Sequence, residues 1–128
     1  MEDVRSEGAA VIEVLTTALL RIHFVCVRII KEGFLRTAAE AYPKAEKYLA
    51  AWTMTVRAAR WRNMAELQRV YPSADLVVVG SGKLAVVFNV CGNTYRLIVA
   101  IHFDRQIAYT LRFLTHAEYS KDSWKNEL

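Results

Sequence analysis

The chain contains little cysteine: only Cys26 and Cys91 occur among its 128 residues. Two cysteines so far apart form neither a disulfide framework nor a CxxC metal motif, and this usage suits a reducing cytoplasm. Both lie in apolar runs, so we expect both to be buried as small hydrophobic residues. No group of His, Cys, Asp and Glu has metal-ligand spacing. We therefore expect no metal centre and no cofactor.

The chain also lacks an apolar run long enough to cross a membrane. The segment from Ala9 to Leu20 is apolar, but Glu13 interrupts it and an acidic start precedes it, which argues against a signal peptide. Low-complexity linkers and internal repeats are absent too. We expect one compact, soluble, cytoplasmic domain without a membrane partner.

Positive charge is what the chain has in excess. The formal net charge is +4, and because residues 1–22 carry −2, the remainder carries +6. A basic domain suits a polyanionic partner such as nucleic acid, although the same charge also serves general solubility.

The hydrophobic pattern predicts an α+β fold, with helices early in the chain and strands late. Helical spacing of apolar residues covers the segments 2–21, 31–42 and 44–60, and a short helix follows over 63–70. Strand-like runs cover the segments 23–30, 76–79, 83–90, 94–103 and 107–115. Asn63 and Glu66 form a candidate capping box for the short helix. This order favours an antiparallel meander with the helices on one face.

Residues 80–83, with the sequence GSGK, superficially resemble a phosphate-binding loop. The segment lacks the motif's spacing and its Lys-Ser/Thr ending, and a strand rather than a helix is predicted after it. We interpret it as a hairpin connection, after which the next strand begins at Lys83.

A basic and aromatic cluster lies at the end of the helix predicted over residues 44–60. It consists of Arg57, Arg60, Trp61 and Arg62. Cations near a helix C-terminus are favoured by the dipole, so a solvated helix end is one interpretation. Arginine beside an exposed tryptophan also grips phosphate and stacks a base, so Arg60, Trp61 and Arg62 are candidate nucleic-acid contacts.

Four side chains able to bind an oxyanion or move a proton interrupt the last two apolar strands. Period-two alternation puts Arg96 and His102 on one face of their strand, and Arg112 and His116 on one face of the next. A three-residue loop that pairs Phe103 with Ile107 would bring all four to the same face of the sheet. A two-residue loop would place the two pairs on opposite faces.

The chain resembles the HigB toxin family, a branch of the RelE-like ribonuclease toxins of bacterial type II toxin–antitoxin modules. The resemblance covers about residues 27–125 and rests on these stretches: AW (51–52), RW (60–61), YPSAD (71–75), VVFNVCGNTYRLI (86–98), IHFDRQ (101–106) and LTHAEYSKDSWK (114–125). It implies a RelE-like fold, in which an N-terminal strand and helices pack on an antiparallel sheet formed by the C-terminal strands.

The resemblance also implies a function and partners. The expected activity is cleavage of translated mRNA on the ribosome, without a metal, through attack by the RNA's own 2′-hydroxyl. The expected partner is a small helix-turn-helix antitoxin of the HigA type, with operator DNA bound only through the antitoxin complex. A member of the same fold that binds RNA or protein without cutting is the alternative.

Two departures from the family pattern stand out. Residues 1–26 precede the family's usual start, so we divide the chain into an N-terminal extension, 1–26, and a toxin domain, 27–128. Leu111 stands where the family usually has arginine, one position before Arg112. A one-residue shift on a strand moves a side chain to the opposite face, which puts the role of Arg112 in doubt.

Metal-free cleavage needs cations for the phosphate, an acid for the leaving oxygen and a base for the 2′-hydroxyl. Arg96 is the candidate for the phosphate, because its fork makes two parallel bonds. His116 is the candidate acid, because histidine exchanges protons near neutral pH. Tyr119 either orients RNA or packs in the core.

The base is less well defined by the sequence. His102 shares a strand face with Arg96 and is one candidate, and Lys83 and Glu118 are its rivals. Asn89 either holds its turn or contacts RNA, and Arg112 is a further candidate RNA contact.

Overall fold

The computed structural model describes residues 26–128 of the chain. The helix expected over residues 2–21 and the beginning of the strand expected from His23 lie outside the described residues, as does nearly all of the expected N-terminal extension. No helix within residues 26–128 is long and apolar enough to cross a membrane.

The helices and strands follow the order expected from the hydrophobic pattern. The strands are β1 (Arg28–Ile30), β2 (Asp75–Val78), β3 (Leu84–Val90), β4 (Tyr95–His102) and β5 (Ile107–Thr115). The α-helices are α1 (Glu32–Ala41), α2 (Glu46–Ala58), α3 (Met64–Val70) and α4 (His116–Ser120), with 3₁₀ turns at Pro43–Ala45 and Ser123–Glu127. The helix expected over 44–60 therefore begins with a 3₁₀ turn at Pro43–Ala45, and its α-helical part starts at Glu46. Proline is tolerated in such a first turn.

The five strands form one mixed sheet in the order β1-β5-β4-β3-β2. Strands β2 to β5 form the expected antiparallel meander, and β1 adds to its edge in parallel to β5. A parallel neighbour needs a crossover, which the helices α1 to α3 provide. The architecture confirms the expected α+β, RelE-like class.

The two faces of the sheet carry two hydrophobic cores. The helices cover one face, where Trp52 and Val56 of α2 join Leu97 and Val99 of β4 in the larger core. On the other face Ile98 belongs to a smaller core, which Trp124 of the C-terminal 3₁₀ turn closes. Alternation along β4 therefore directs its even-numbered residues, Arg96 included, away from the helices.

The β4–β5 hairpin has neither of the two loops considered from the sequence. His102 pairs with Ile107 across a four-residue loop, so Phe103 does not pair with Ile107. A β-bulge shifts the register between the pair Ile98–Arg112 and the pair Val99–Thr110. Leu111 is the extra residue of this bulge. The bulge restores the expected pairing of Ile98 with Arg112, so Arg112 faces the same side as Arg96 in spite of the longer loop.

The expected burial of the cysteines is wrong for Cys91, which is exposed, whereas Cys26 is half-buried. Cys91 begins the β3–β4 turn with a φ of 53°, and its thiol lies 3.4 Å from the carbonyl of Lys44. The strand pattern ends one residue earlier, at Val90.

Gly80 lies where the β2–β3 connection touches the C-terminal 3₁₀ turn. Its N–H donates to the carbonyl of Lys125 at 2.7 Å, and a Cβ at this position would lie 2.8 Å from the same oxygen. We expect Gly80→Ala to lower the free energy of unfolding by about 1–3 kcal/mol, the usual cost of overpacking. Urea unfolding measures this. Gly33→Ala in α1 is the matched control, because its Cβ would meet nothing within 4 Å, and it should not destabilise.

Candidate active site

Arg96 is the most unusual side chain on the sheet face opposite the helices. Only 8% of it is exposed. Its guanidinium donates to the carbonyl of Tyr95 at 3.1 Å and to the side-chain oxygen of Asn93 at 3.2 Å, and lies 5.2 Å from the centre of the Tyr119 ring. Both acceptors are neutral, and within residues 26–128 no carboxylate pairs with this cation. A nearly buried cation without a counter-charge favours binding of an anion.

The β3–β4 turn supplies one of those contacts. Cys91 and Gly92 both have positive φ, and the N–H of Thr94 donates to the carbonyl of Cys91 at 3.3 Å. The turn thereby brings Asn93 next to Arg96. The sequence analysis assigned no site role to Asn93, although its position three residues before Arg96 was a usable signal. Asn89 pairs with Arg96 across the strands and so shares its face.

His116 begins α4, directly after β5. A full capping box fixes the start of this helix: the hydroxyl of Thr115 accepts from the N–H of Glu118 at 3.2 Å, and the carboxylate of Glu118 accepts from the N–H of Thr115 at 2.9 Å. The N–H of His116 donates to the carbonyl of Thr94 at 3.0 Å, which ties α4 to the same turn as Asn93. His116 itself is exposed.

Tyr119 packs against Trp124. The two rings stack with centroids 5.5 Å apart and planes 20° from parallel, and the indole N–H donates to the carbonyl of Tyr119 at 3.0 Å. Trp124 is 3% exposed and fills the smaller core. The Tyr119 ring thus contacts both the guanidinium of Arg96 and the Trp124 ring. The sequence did not reveal the contact with Trp124, because a tryptophan in a polar tail gives no periodic signal.

Arg112 lies on the same face but is paired within the chain. Its guanidinium donates to the carbonyl of Leu111 at 2.7 Å and lies 3.5 Å from the carboxylate of Glu127. Leu111, the bulged residue, packs against the smaller core. The ion pair is partly exposed, so solvent weakens it.

His102 and Lys83 lie at the far end of this face from Arg96. His102 is six positions along β4 from Arg96, or about 20 Å at the usual rise per residue. Extending the β3–β4 register brings Lys83 level with His102, and both line one pocket. The structure therefore does not bring either candidate base to the phosphate that Arg96 can hold.

The expected basic and aromatic cluster does not form on the surface. Trp61 is 5% exposed and packs edge-on against Tyr71 in the larger core, with ring centroids 6.3 Å apart. Stacking of Trp61 on a base requires an exposed ring, but the chain folds back after α2 and buries the indole. The expectation that Trp61 stacks a base is therefore wrong. Arg60 is exposed and interacts with other residues of the chain.

Arg62 is paired with Glu66 of α3. Its guanidinium donates to the carboxylate at 2.8 and 2.9 Å, and its backbone N–H donates at 2.7 Å. These hydrogen bonds lower the pKa of Glu66 and raise the pKa of Arg62. The N-cap role of Asn63 is confirmed, since its side chain accepts from the N–H of Glu66. The expected capping box is half correct, because the Glu66 carboxylate accepts from Arg62 rather than from Asn63.

The part of the chain from residue 26 onward contains no group of three or more His, Cys, Asp and Glu side chains that could hold a metal ion.

The sequence matches the HigB_toxin family model, described as the RelE-like toxic component of a toxin–antitoxin system, over residues 45–122. The chain belongs to the HigB toxin family. The matched segment contains Asn93, Arg96, His116 and Tyr119, and it ends before Trp124.

The sequences of individual HigB proteins also match the chain. The chain is 31% identical over 93 residues to the mRNA interferase toxin HigB of Escherichia coli strain K12, a span of 73% of this chain and 88% of the relative. The mRNA interferases HigB of Escherichia coli O157:H7 and of Shigella flexneri match with the same identity and coverage. The resemblance found in the sequence is thereby confirmed.

Proposed function

We propose that this HigB-family chain is an mRNA interferase: an endoribonuclease toxin that cleaves translated mRNA at the ribosome without a metal ion. Two findings support the proposal. The HigB relatives are named as mRNA interferases. Arg96 is a nearly buried cation with only neutral acceptors, on the sheet face that the helices leave open. The second finding carries the proposal, because it supplies an anion site where the phosphate of RNA would bind.

The proposed reaction is an in-line attack by the RNA's 2′-oxygen on the adjacent phosphorus. Arg96 binds the non-bridging phosphate oxygens, and Tyr119 keeps the guanidinium in place. The bond from phosphorus to the 5′-oxygen breaks, and His116 gives that oxygen a proton. The upstream product then ends in a 2′,3′-cyclic phosphate.

The base that accepts the 2′-hydroxyl proton has three candidates. Glu118 lies in α4, two positions from His116, whereas Lys83 and His102 lie near the opposite end of the face. Distance therefore favours Glu118. Its carboxylate accepts one backbone hydrogen bond in the capping box and retains further lone pairs for a proton.

The proposed partners follow from membership of a toxin–antitoxin family. A helix-turn-helix antitoxin of the HigA type would neutralise the toxin, and operator DNA would be reached only through that complex. We propose that the protein acts in the cytoplasm, where translated mRNA and ribosomes occur.

Expression of the intact chain is expected to arrest growth of a bacterial host, and Arg96→Ala combined with His116→Ala is expected to abolish the arrest. The reason is that the pair removes both the phosphate cation and the proposed acid. Growth curves after induction measure the effect, with immunoblots to match expression. Arg69→Ala on α3 is the control, because it removes an exposed cation from the helix side of the protein. Arrest by the double variant as strong as wild type would show that the proposed site is wrong.

A further inference from the structure

A pocket lies on the same sheet face as Arg96, at the opposite end of β3, β4 and β5. Its volume is about 700 Å³. Ala85, Ala100 and Leu111 contribute to an apolar floor, and Lys83, His102 and Tyr109 contribute to a more polar rim. This size and mixture are typical of a site that takes a small organic group with a few polar contacts.

The rim carries the chemistry that recognises a nucleobase and its phosphate. The rings of His102 and Tyr109 meet edge to face, with centroids 5.8 Å apart, and both side chains are exposed. An exposed aromatic ring offers a surface on which any base can stack. Lys83 is exposed beside them and provides a positive charge. Within residues 26–128, no Asp or Glu side chain lines the pocket, although Leu128, which also lines it, ends in the α-carboxylate.

The pocket lies on the same sheet face as Arg96, and the C-terminal 3₁₀ turn packs on Ile98 between them. Arg96, Ile98, Ala100 and His102 occupy alternate positions of β4 and therefore share one face. The distance of about 20 Å along the strand exceeds the reach of one nucleotide but lies within that of a short single strand. The bulge at Leu111 helps to form the pocket, because both Leu111 and Tyr109 then line it.

We infer that this pocket binds a base of the same RNA strand whose phosphate lies at Arg96, several nucleotides from the bond that is cleaved. The inference rests on the proposed function and adds to it a substrate-binding subsite. His102 and Lys83 then serve recognition of RNA at a distance from the reacting atoms.

The test is a binding ladder with single-stranded 2′-O-methyl RNAs, each one nucleotide longer than the last. Methylation prevents attack by the 2′-oxygen, so the intact protein can be used without cleavage. Fluorescence anisotropy should show a step of about tenfold in affinity at the length that first reaches the pocket. His102→Ala combined with Tyr109→Ala should remove the step and leave the affinity for shorter RNAs unchanged. Lys83→Ala should weaken only the longer RNAs.

Two controls make the comparison specific. Met54→Ala removes an exposed side chain from α2, on the other side of the sheet, and should keep the step. Thermal unfolding of every variant checks that the fold is intact, and His102→Gln provides a milder change that keeps the residue polar.

The same preparations are assayed for cleavage of a translated message on ribosomes. Cleavage by wild type without a length-dependent step overturns the subsite and leaves the proposed function standing. A step without cleavage supports the subsite and overturns the proposed activity. A double variant that keeps the step but no longer binds its antitoxin would assign the pocket to the protein partner, and this would also overturn the inference.

Discussion

Replacing Arg96 with alanine is expected to lower the single-turnover rate of mRNA cleavage by about a hundredfold or more, equivalent to a loss of about 3–4 kcal/mol of transition-state stabilisation. The guanidinium is the one cation on the open face that is both nearly buried and, among the described residues, without a carboxylate partner. Charge that develops on the phosphate would therefore lose its most direct stabiliser. Rates on a translated message, measured with enzyme in excess over ribosomes, test this.

The stability of the same variant separates catalysis from folding. An unpaired, buried charge is costly to desolvate, so its removal should leave the free energy of unfolding nearly unchanged or slightly raised. Arg96→Lys keeps the charge but loses the planar fork, and its rate should lie between those of wild type and the alanine variant. A wild-type rate for Arg96→Ala, or a rate loss fully explained by unfolding, would contradict the proposed role.

Trp52→Ala should have the largest effect on stability of the substitutions considered. The indole is 1% exposed and packs edge-on against Phe88 in the larger core, with ring centroids 5.4 Å apart. Truncation leaves a cavity between α2 and the sheet, and such changes cost about 3–5 kcal/mol. Urea unfolding followed by circular dichroism measures the loss.

Two further variants sharpen this prediction. The indole Nε1 of Trp52 is buried without a hydrogen-bond partner, so Trp52→Phe removes an unsatisfied donor and should cost much less than alanine. Met54, two positions away on α2, is 72% exposed, and Met54→Ala should leave stability within about 0.5 kcal/mol of wild type. Equal losses for Trp52→Ala and Met54→Ala would show that α2 does not close the core as described.

The class of fold was predictable from the sequence because the apolar period changes from helical to alternating near residue 75. The fine register was not predictable. The bulge at Leu111 arises from pairing between whole strands, and no local pattern announces it. Trp61 illustrates the same limit, since a tryptophan between two arginines suggests exposure although the chain folds it into the core.

The candidate site was predictable in part. Arg96 and Tyr119 were selected from the sequence and lie together, because the hairpin ends where α4 begins. The contacts that hold them were missed. Asn93 reaches Arg96 through a turn in which Cys91, a non-glycine residue, adopts positive φ, and Trp124 reaches Tyr119 from a 3₁₀ turn. Both depend on backbone geometry that spacing alone does not encode.

The most direct test of the proposed activity is the chemistry of the RNA ends. The wild-type protein is incubated with ribosomes translating a defined message, and a parallel reaction contains Arg96→Ala as the inactive comparison. The cut ends from both reactions are analysed. Cleavage by the 2′-oxygen predicts upstream fragments that end in a 2′,3′-cyclic phosphate for wild type, and almost none for Arg96→Ala. An intact message with wild type, or fragments that carry a 3′-hydroxyl and a 5′-phosphate, would contradict the mechanism proposed for this face of the sheet.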